Sequence, residues 1–211
     1  TATCICWTIR CNFLLQWMIL SILNGLIQRV FPVMSEMSYQ QPDFIYVKEN
    51  ALTEEQCQII TQYIDNSKLH KRIFYYQAYG DQSEFGFVTD IVYQNVLKYM
   101  EEHPFLKSLY KPFGIDKAWN LQKYLPGQSY SIEHFEHGAE PESSRRILAW
   151  MFYLNDVEDG GETYWPQQNF KKTARAGDFC IWPAGWTHSH KGLVSNTESK
   201  YIITGWCSLQ Q

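Results

Sequence analysis

The sequence predicts a mainly β fold with helices at its N-terminal side: a jelly-roll core buttressed by two or more helices. Three observations carry this. Two segments of helical periodicity come first. After Pro112, seven short apolar or alternating runs follow one another, with turn signals between them. Aromatic residues are abundant (Phe 12, Tyr 14 and Trp 8, or 16% of 211), as suits wide packed strands or a stacked ligand. The apolar and charged fractions, 45% and 19%, are those of a globular chain and exclude disorder, collagen and coiled coil. A slightly polar mean hydropathy excludes a polytopic membrane protein.

The elements follow in order. Phe44–Val47 reads as a short strand. Thr53-Glu-Glu-Gln56 is a capping box that opens a helix to about Asp65, with Cys57, Ile60, Tyr63 and Ile64 on its apolar face. A second helix is predicted from Thr89 to His103, with Ile91, Val92, Val96, Leu97 and Met100 inward. The β half then runs through Ala118–Tyr124, Tyr130–His134, Ile147–Leu154, Thr163–Trp165, Asp178–Trp182, His188–Val194 and Tyr201–Ser208. Pro126-Gly127, Asp159-Gly160-Gly161, Gly177-Asp178, Pro183-Ala-Gly185 and Ser195-Asn196 punctuate it. Alternating sheets of short strands make a sandwich or barrel.

Residues 34–211 are expected to form this one domain, and residues 1–33 to stand apart. Cys11–Ile27 is uncharged and flanked by Arg10 and Arg29, a length at the lower limit of the roughly 17–25 residues of a membrane span. Three readings compete: a signal-anchor centred on residues 11–31, a signal peptide, or a stretch that the native protein lacks. The third predicts a cytoplasmic protein and the first a membrane-anchored one. Net charge is −4, so no nucleic-acid partner is expected. The six Cys form no CxxC pair, which argues for buried thiols rather than a zinc site or a disulfide scaffold.

The chemistry concentrates in the β half. His134 and Glu136 are two apart, so on a strand an imidazole and a carboxylate project from one face. Such a pair is the short half of a 2-His-1-carboxylate triad, which suits non-haem Fe(II) and leaves positions open. The third ligand must come from a distant strand; His188 and His190 share a face, and spacing alone does not choose between them. Lys200, Ile202 and Thr204 also share one face. A Lys turned into a barrel needs an anionic partner, because a lone buried ammonium is very costly.

The stretch from Tyr124 to Trp206 resembles the Fe(II)- and 2-oxoglutarate-dependent dioxygenases, specifically the prolyl 4-hydroxylase-like branch with its phage and marine bacterial members. The matching residues are Tyr124-Leu-Pro-Gly127, Tyr130-x-x-x-His134-x-Glu136, Arg146-Ile-Leu, Tyr153-Leu-Asn-Asp-Val157-x-x-Gly160-Gly-Glu-Thr163, Ala176-Gly-Asp178, His190-Lys-Gly192-x-Val194 and Lys200-Tyr-Ile-Ile-Thr204-Gly-Trp206. The resemblance implies a double-stranded β-helix core, with His134, Glu136 and His190 as catalytic metal ligands. It implies that Lys200 pairs with the far carboxylate of 2-oxoglutarate and that Tyr124, Tyr153, Thr163 and Thr204 line the cosubstrate pocket. His137 and His188 fall outside the ligand positions and read as supporting or mouth residues. The implied reaction hydroxylates an unactivated C–H with dioxygen and releases succinate and CO2, with ascorbate as an accessory reductant. Peptidyl proline is the first expected substrate, ahead of free amino acids and small metabolites. One departure stands out: most members carry Asp where this chain has Glu136, so the longer side chain must pack differently. Lys68–Gly86 is expected to act as a lid, and Arg145 and Arg146 read as solvated charges first and as residues lining the mouth second. Two rival readings are a non-catalytic jelly-roll domain that binds a metal or ligand, and a cupin-type metalloenzyme that uses no 2-oxoglutarate. Neither gives Lys200 a role.

Overall fold

The computed structural model describes residues 43–79, 85–108 and 112–210. The expectations for residues 1–33, including the stretch 11–31, lie outside these. Among the described residues, no helix is long and apolar enough to cross a membrane.

Among the described residues, eleven strands and two α-helices are ordered as β1 (Tyr46–Lys48), α1 (Glu54–Asn66), β2 (His70–Lys71), β3 (Tyr76–Tyr79), α2 (Gly86–Glu102), β4 (Phe113–Ile115), β5 (Asn120–Tyr124), β6 (Arg146–Tyr153), β7 (Thr163–Trp165), β8 (Phe170–Lys172), β9 (Phe179–Pro183), β10 (Lys191–Gly192) and β11 (Lys200–Leu209). Helix α1 begins where the capping box places it: the Thr53 hydroxyl accepts from the Gln56 N–H, and the Gln56 side chain accepts from the Thr53 N–H. Helix α2 starts three residues before the predicted boundary. Its buried face is Val88, Val92, Asn95, Val96 and Tyr99, whereas Leu97, predicted inward, is exposed.

The strands form two antiparallel sheets. The large one runs β1-β9-β6-β11-β5-β3-β2, with β4 paired to β11; the small one runs β10-β7-β8. Strand β6 is buried on both faces, and its alternation divides the core in two. Leu148, Trp150 and Phe152 pack with Ile203, Cys207, Phe179 and Ile181 against Cys57, Ile60, Ile64, Val88 and Val92 of the helices. Ala149, Met151 and Tyr153 face the other way, with Tyr124, Trp165, Cys180, Trp182 and Ile202. The second cluster joins residues of both sheets, and the functional cavity opens from it. The described cysteines Cys57, Cys180 and Cys207 are free and buried.

Three sequence expectations shift. Tyr130–His134 is not a strand; only His134 pairs, in a single bridge to His190. His188–Val194 contracts to β10, because Trp186–His188 closes a 3-10 turn. The segment read as a polar lid contains β2 and β3, and β3 pairs with β5 at the edge of the large sheet. Strand β2 is short and exposed, and β3 buries Gln77 and Ala78 side by side, so neither carries an apolar alternation that periodicity would reveal.

Three glycines, at two places, shape the cavity walls. Gly160 and Gly161 turn at positive φ (76° and 73°), delivering Thr163 to β7. Gly205 lies opposite Trp150 across β11 and β6, and a Cβ there would run into the indole. Since Trp150 is fully buried, the ring cannot swing away freely. Gly205→Ala is therefore expected to destabilise the fold by about 1–3 kcal/mol, read as a lowered urea midpoint with an unchanged slope.

Candidate active site

His134 and His190 meet across the barrel although 56 residues separate them. Each donates its backbone N–H to the other's carbonyl, at 3.0 and 2.8 Å, which fixes the two imidazoles side by side with ring centroids 4.5 Å apart. Glu136 is carried on the same loop, tied down where the N–H groups of Glu136 and His137 both donate to the Ala184 carbonyl. Its Oε1 lies 3.5 Å from Nε2 of His134 and 3.5 Å from Nε2 of His190. One donor atom from each of the three residues falls within 4.8 Å of the others. The convergence expected from an extended strand is thus reached through a loop and one bridge.

The second ring nitrogens set the tautomers. Nδ1 of His134 lies 2.9 Å from the Ile132 carbonyl oxygen, and Nδ1 of His190 lies 3.1 Å from that of His188. A carbonyl only accepts, so each Nδ1 carries a proton; each Nε2 faces Glu136, donating to it when the ring is protonated and offering a lone pair when the ring is neutral. Burial opposes ionisation of Glu136, but hydrogen bonds from both histidines outweigh it and hold the carboxyl well below its usual range. Burial likewise disfavours the charged form of His134, and its bond to Glu136 reverses the balance, raising its pKa. An anionic oxygen and two directed imidazole nitrogens are the donor set of a divalent transition metal with open positions. Aromatic rings wall this set: Tyr130 at 4.2 Å from the His134 ring, and Trp182 and Trp165 at 4.9 and 6.0 Å from the His190 ring.

The three residues open into a cavity of about 250 Å³ whose walls include Tyr124, Thr163, Lys200 and Thr204. Lys200 stands beside Tyr124 in the β11–β5 register and is 7% exposed. Its Nζ lies 5.2 Å from the centre of the Tyr153 ring. Among the described residues it makes no ion pair and no hydrogen bond. Burial pushes this ammonium down to about 8. A buried, unpaired cation facing a cavity that also holds a metal donor set fits the far carboxylate of a bound dicarboxylate. Tyr124, whose phenol burial keeps neutral, donates to Gln122 Oε1 at 2.8 Å. Tyr153 is set behind the wall rather than on it; it is fully buried, and its hydroxyl donates to Thr163 Oγ1 at 2.8 Å.

The remaining histidines turn elsewhere. Nδ1 of His137 lies 3.2 Å from the Arg146 carbonyl. His188 is buried, with Nε2 2.9 Å from the Asp43 carbonyl and its pKa lowered by burial. The fold thus selects His190 from a pair that spacing left equivalent. Sequence reasoning missed two residues that touch Glu136. Trp206 donates from Nε1 to Oε2 at 2.8 Å, and Arg146 sits 3.5 Å from the same oxygen. Arg146 is therefore partly buried against the site rather than a solvated charge. Trp206 was findable, since period two puts it on the face of Lys200, Ile202 and Thr204.

Residues 119–208, which carry the whole of this site, match the model of the 2OG-Fe(II) oxygenase superfamily. Its relatives are of prolyl hydroxylase type. The probable prolyl 4-hydroxylase 9 of Arabidopsis thaliana is 35% identical over 43% of this chain and 40% of its own length. Prolyl 4-hydroxylase 13 of the same plant is 34% identical over 38% of this chain and 30% of its own. The chain thus spans less than half the length of these relatives. The double-stranded β-helix is shared with solved structures. The viral collagen prolyl hydroxylase of Paramecium bursaria Chlorella virus-1 superposes with a TM-score of 0.66 at 17% identity, covering 83% of this chain and 100% of that one. A Pseudomonas putida prolyl-4-hydroxylase gives 0.61 at 15% identity, covering 79% and 93%.

The position of Lys200 yields a test with a definite sign. The unfolded chain holds this amine protonated up to about 10.5, the folded chain only to about 8. Between these values the unfolded state binds more protons, so this residue makes stability rise with pH across that window. Lys200→Met should remove that rise and, at neutral pH without ligand, stabilise the protein by about 1–3 kcal/mol. Denaturant melts of both proteins at pH 7 and pH 10 read both effects.

Proposed function

We propose that this protein is an Fe(II)- and 2-oxoglutarate-dependent dioxygenase that hydroxylates peptidyl proline at C4. The observation that carries the reading is the unpaired, buried ammonium of Lys200 in the same cavity as the His134, Glu136 and His190 donor set. A metal-binding module or a cupin-type enzyme without 2-oxoglutarate has no use for that cation. The match to the superfamily and the prolyl 4-hydroxylase relatives support the assignment.

In this reading Nε2 of His134, Nε2 of His190 and Oε1 of Glu136 hold the metal. Lys200 binds the far carboxylate of 2-oxoglutarate, with Tyr124, Thr163 and Thr204 lining the cosubstrate's pocket and Tyr153 backing it through Thr163. When bound, the metal and cosubstrate supply the oxidising power: dioxygen inserts one oxygen atom into a substrate C–H, while 2-oxoglutarate takes the other and leaves as succinate and CO2. The protein's part is to position and to keep water out. The Trp165 and Trp182 rings shield the His190 side, and Tyr130 shields His134. The loop that carries His134 and Glu136 exposes Ile132 and Phe135, an apolar rim that suits an uncharged residue such as proline. Ascorbate would serve as an accessory reductant. On this account the protein needs a peptide and dioxygen as partners and no nucleic acid.

The test is turnover with a proline-rich peptide, Fe(II), 2-oxoglutarate, ascorbate and air. Succinate and peptide heavier by one oxygen atom should appear in equal amounts, with the label retained from isotopic dioxygen. His190→Ala should abolish both products. Turnover of 2-oxoglutarate with every proline-containing peptide left unmodified would contradict the substrate; no turnover at all would contradict the activity.

A further inference from the structure

Glu136 is held from behind as well as presented in front. Its Oε1 faces the two imidazoles, 3.5 Å from each Nε2. Its Oε2 accepts the 2.8 Å hydrogen bond from the Trp206 indole and lies 3.5 Å from the Arg146 guanidinium. The Arg146 guanidinium carbon in turn sits over the Trp206 ring, 3.6 Å from its centre, and the side chain donates to the Glu136 backbone carbonyl at 3.4 Å. The Glu136 N–H is already committed to the Ala184 carbonyl at 3.0 Å. Both supports stand on the large sheet: Trp206 is opposite Ala149, and Arg146 begins β6 opposite Ser208. The carboxylate is therefore pinned at its backbone on both sides and at its outer oxygen.

A carboxylate can bind a metal through one oxygen or through both. Here one hydrogen bond, from the indole, and one nearby positive charge engage the outer oxygen and leave the inner one directed into the triad. The arrangement also depends on side-chain length. The supports are fixed by the sheet and the imidazoles by the His134–His190 bridge, so the carboxylate must span a set distance. Removing one methylene would let it reach the indole or the imidazoles, but not both.

We propose that Trp206 and Arg146 are positioning residues that clamp Glu136 as a one-oxygen ligand, and that the site is built for Glu rather than Asp. This rests on the reading that the triad holds a metal. It adds that the support, and not the acid alone, sets metal affinity.

The test uses the metal-free protein and Co(II) as a spectroscopic probe, without oxygen or cosubstrate, with affinity measured by competition against a chelator. Trp206→Phe should weaken binding about 10- to 100-fold and change the Co(II) visible band, because the carboxylate loses its fixed orientation. Glu136→Asp should weaken it comparably. In the Glu136→Asp background, Trp206→Phe should add less than about twofold, since the contact it removes is already gone. Trp206 is only half-buried, so Phe is tolerated there; Arg146→Met supplies the same cycle from the other support. Affinity within about twofold of the parent in both Trp206→Phe and Arg146→Met, or equal losses in the Glu136 and Glu136→Asp backgrounds, would overturn the clamp. Failure of the parent itself to bind Co(II), Fe(II) or Mn(II) would overturn the metal reading beneath it.

Discussion

The site depends on one two-residue contact, the bridge between His134 and His190. The hydrogen bonds that join their backbones tie the two segments together at the imidazoles themselves, alongside the bond from the Gly192 N–H to the Tyr130 carbonyl. They fix the spacing of the imidazoles before any metal arrives. Everything else is referenced to that bridge. The carbonyls of Ile132 and His188, each two residues upstream, set the ring tautomers. The tie from Glu136 to Ala184 brings the carboxylate to the same point. Because the distances are set by backbone pairing, the triad is preorganised, and binding need not pay for assembling it.

The second constraint is electrostatic. The interior between the sheets is aromatic and apolar, yet it holds an anionic Glu136 and a cationic Lys200. Each burial is unfavourable alone. Glu136 is compensated within the protein by two imidazoles, an indole and a guanidinium. Lys200 has only the face of Tyr153 and distant charge. That asymmetry distinguishes a finished structural ion pair from a binding site. The protein bears a standing cost at Lys200 that an anionic ligand would relieve; under the proposed function, that relief would give affinity and selectivity for a dicarboxylate together.

Much of this was legible in the sequence, for identifiable reasons. Turn residues and period-two runs marked the strands that are buried on one or both faces, and the capping box marked α1. The spacing of His134 and Glu136 and the face shared by Lys200, Ile202 and Thr204 follow from backbone geometry, which the fold keeps. What was hidden lies where tertiary contacts decide. Strands β2, β3, β4 and β8 are short and take their order from neighbours rather than from alternation. His188 and His190 look equivalent in sequence, and only the 3-10 turn at Trp186–His188 sends one to Asp43 and the other to the triad. Arg146 reads as a surface charge beside Arg145, and its stacking on Trp206 is visible only once β6 and β11 are paired. At Glu136, where the resembling family mostly carries Asp, the sequence pattern pointed to a packing difference without revealing its contacts with Trp206 and Arg146.

The most direct measurement is an anaerobic titration of the metal-free protein with Fe(II) and then 2-oxoglutarate, watching for the visible charge-transfer band of a 2-oxo acid chelated to iron. The account predicts a saturable band that is absent in His190→Ala and that requires at least about tenfold more 2-oxoglutarate in Lys200→Ala, the loss expected for one buried charged partner. A folded protein that binds Fe(II) yet develops no band, or develops it equally well without Lys200, would contradict it.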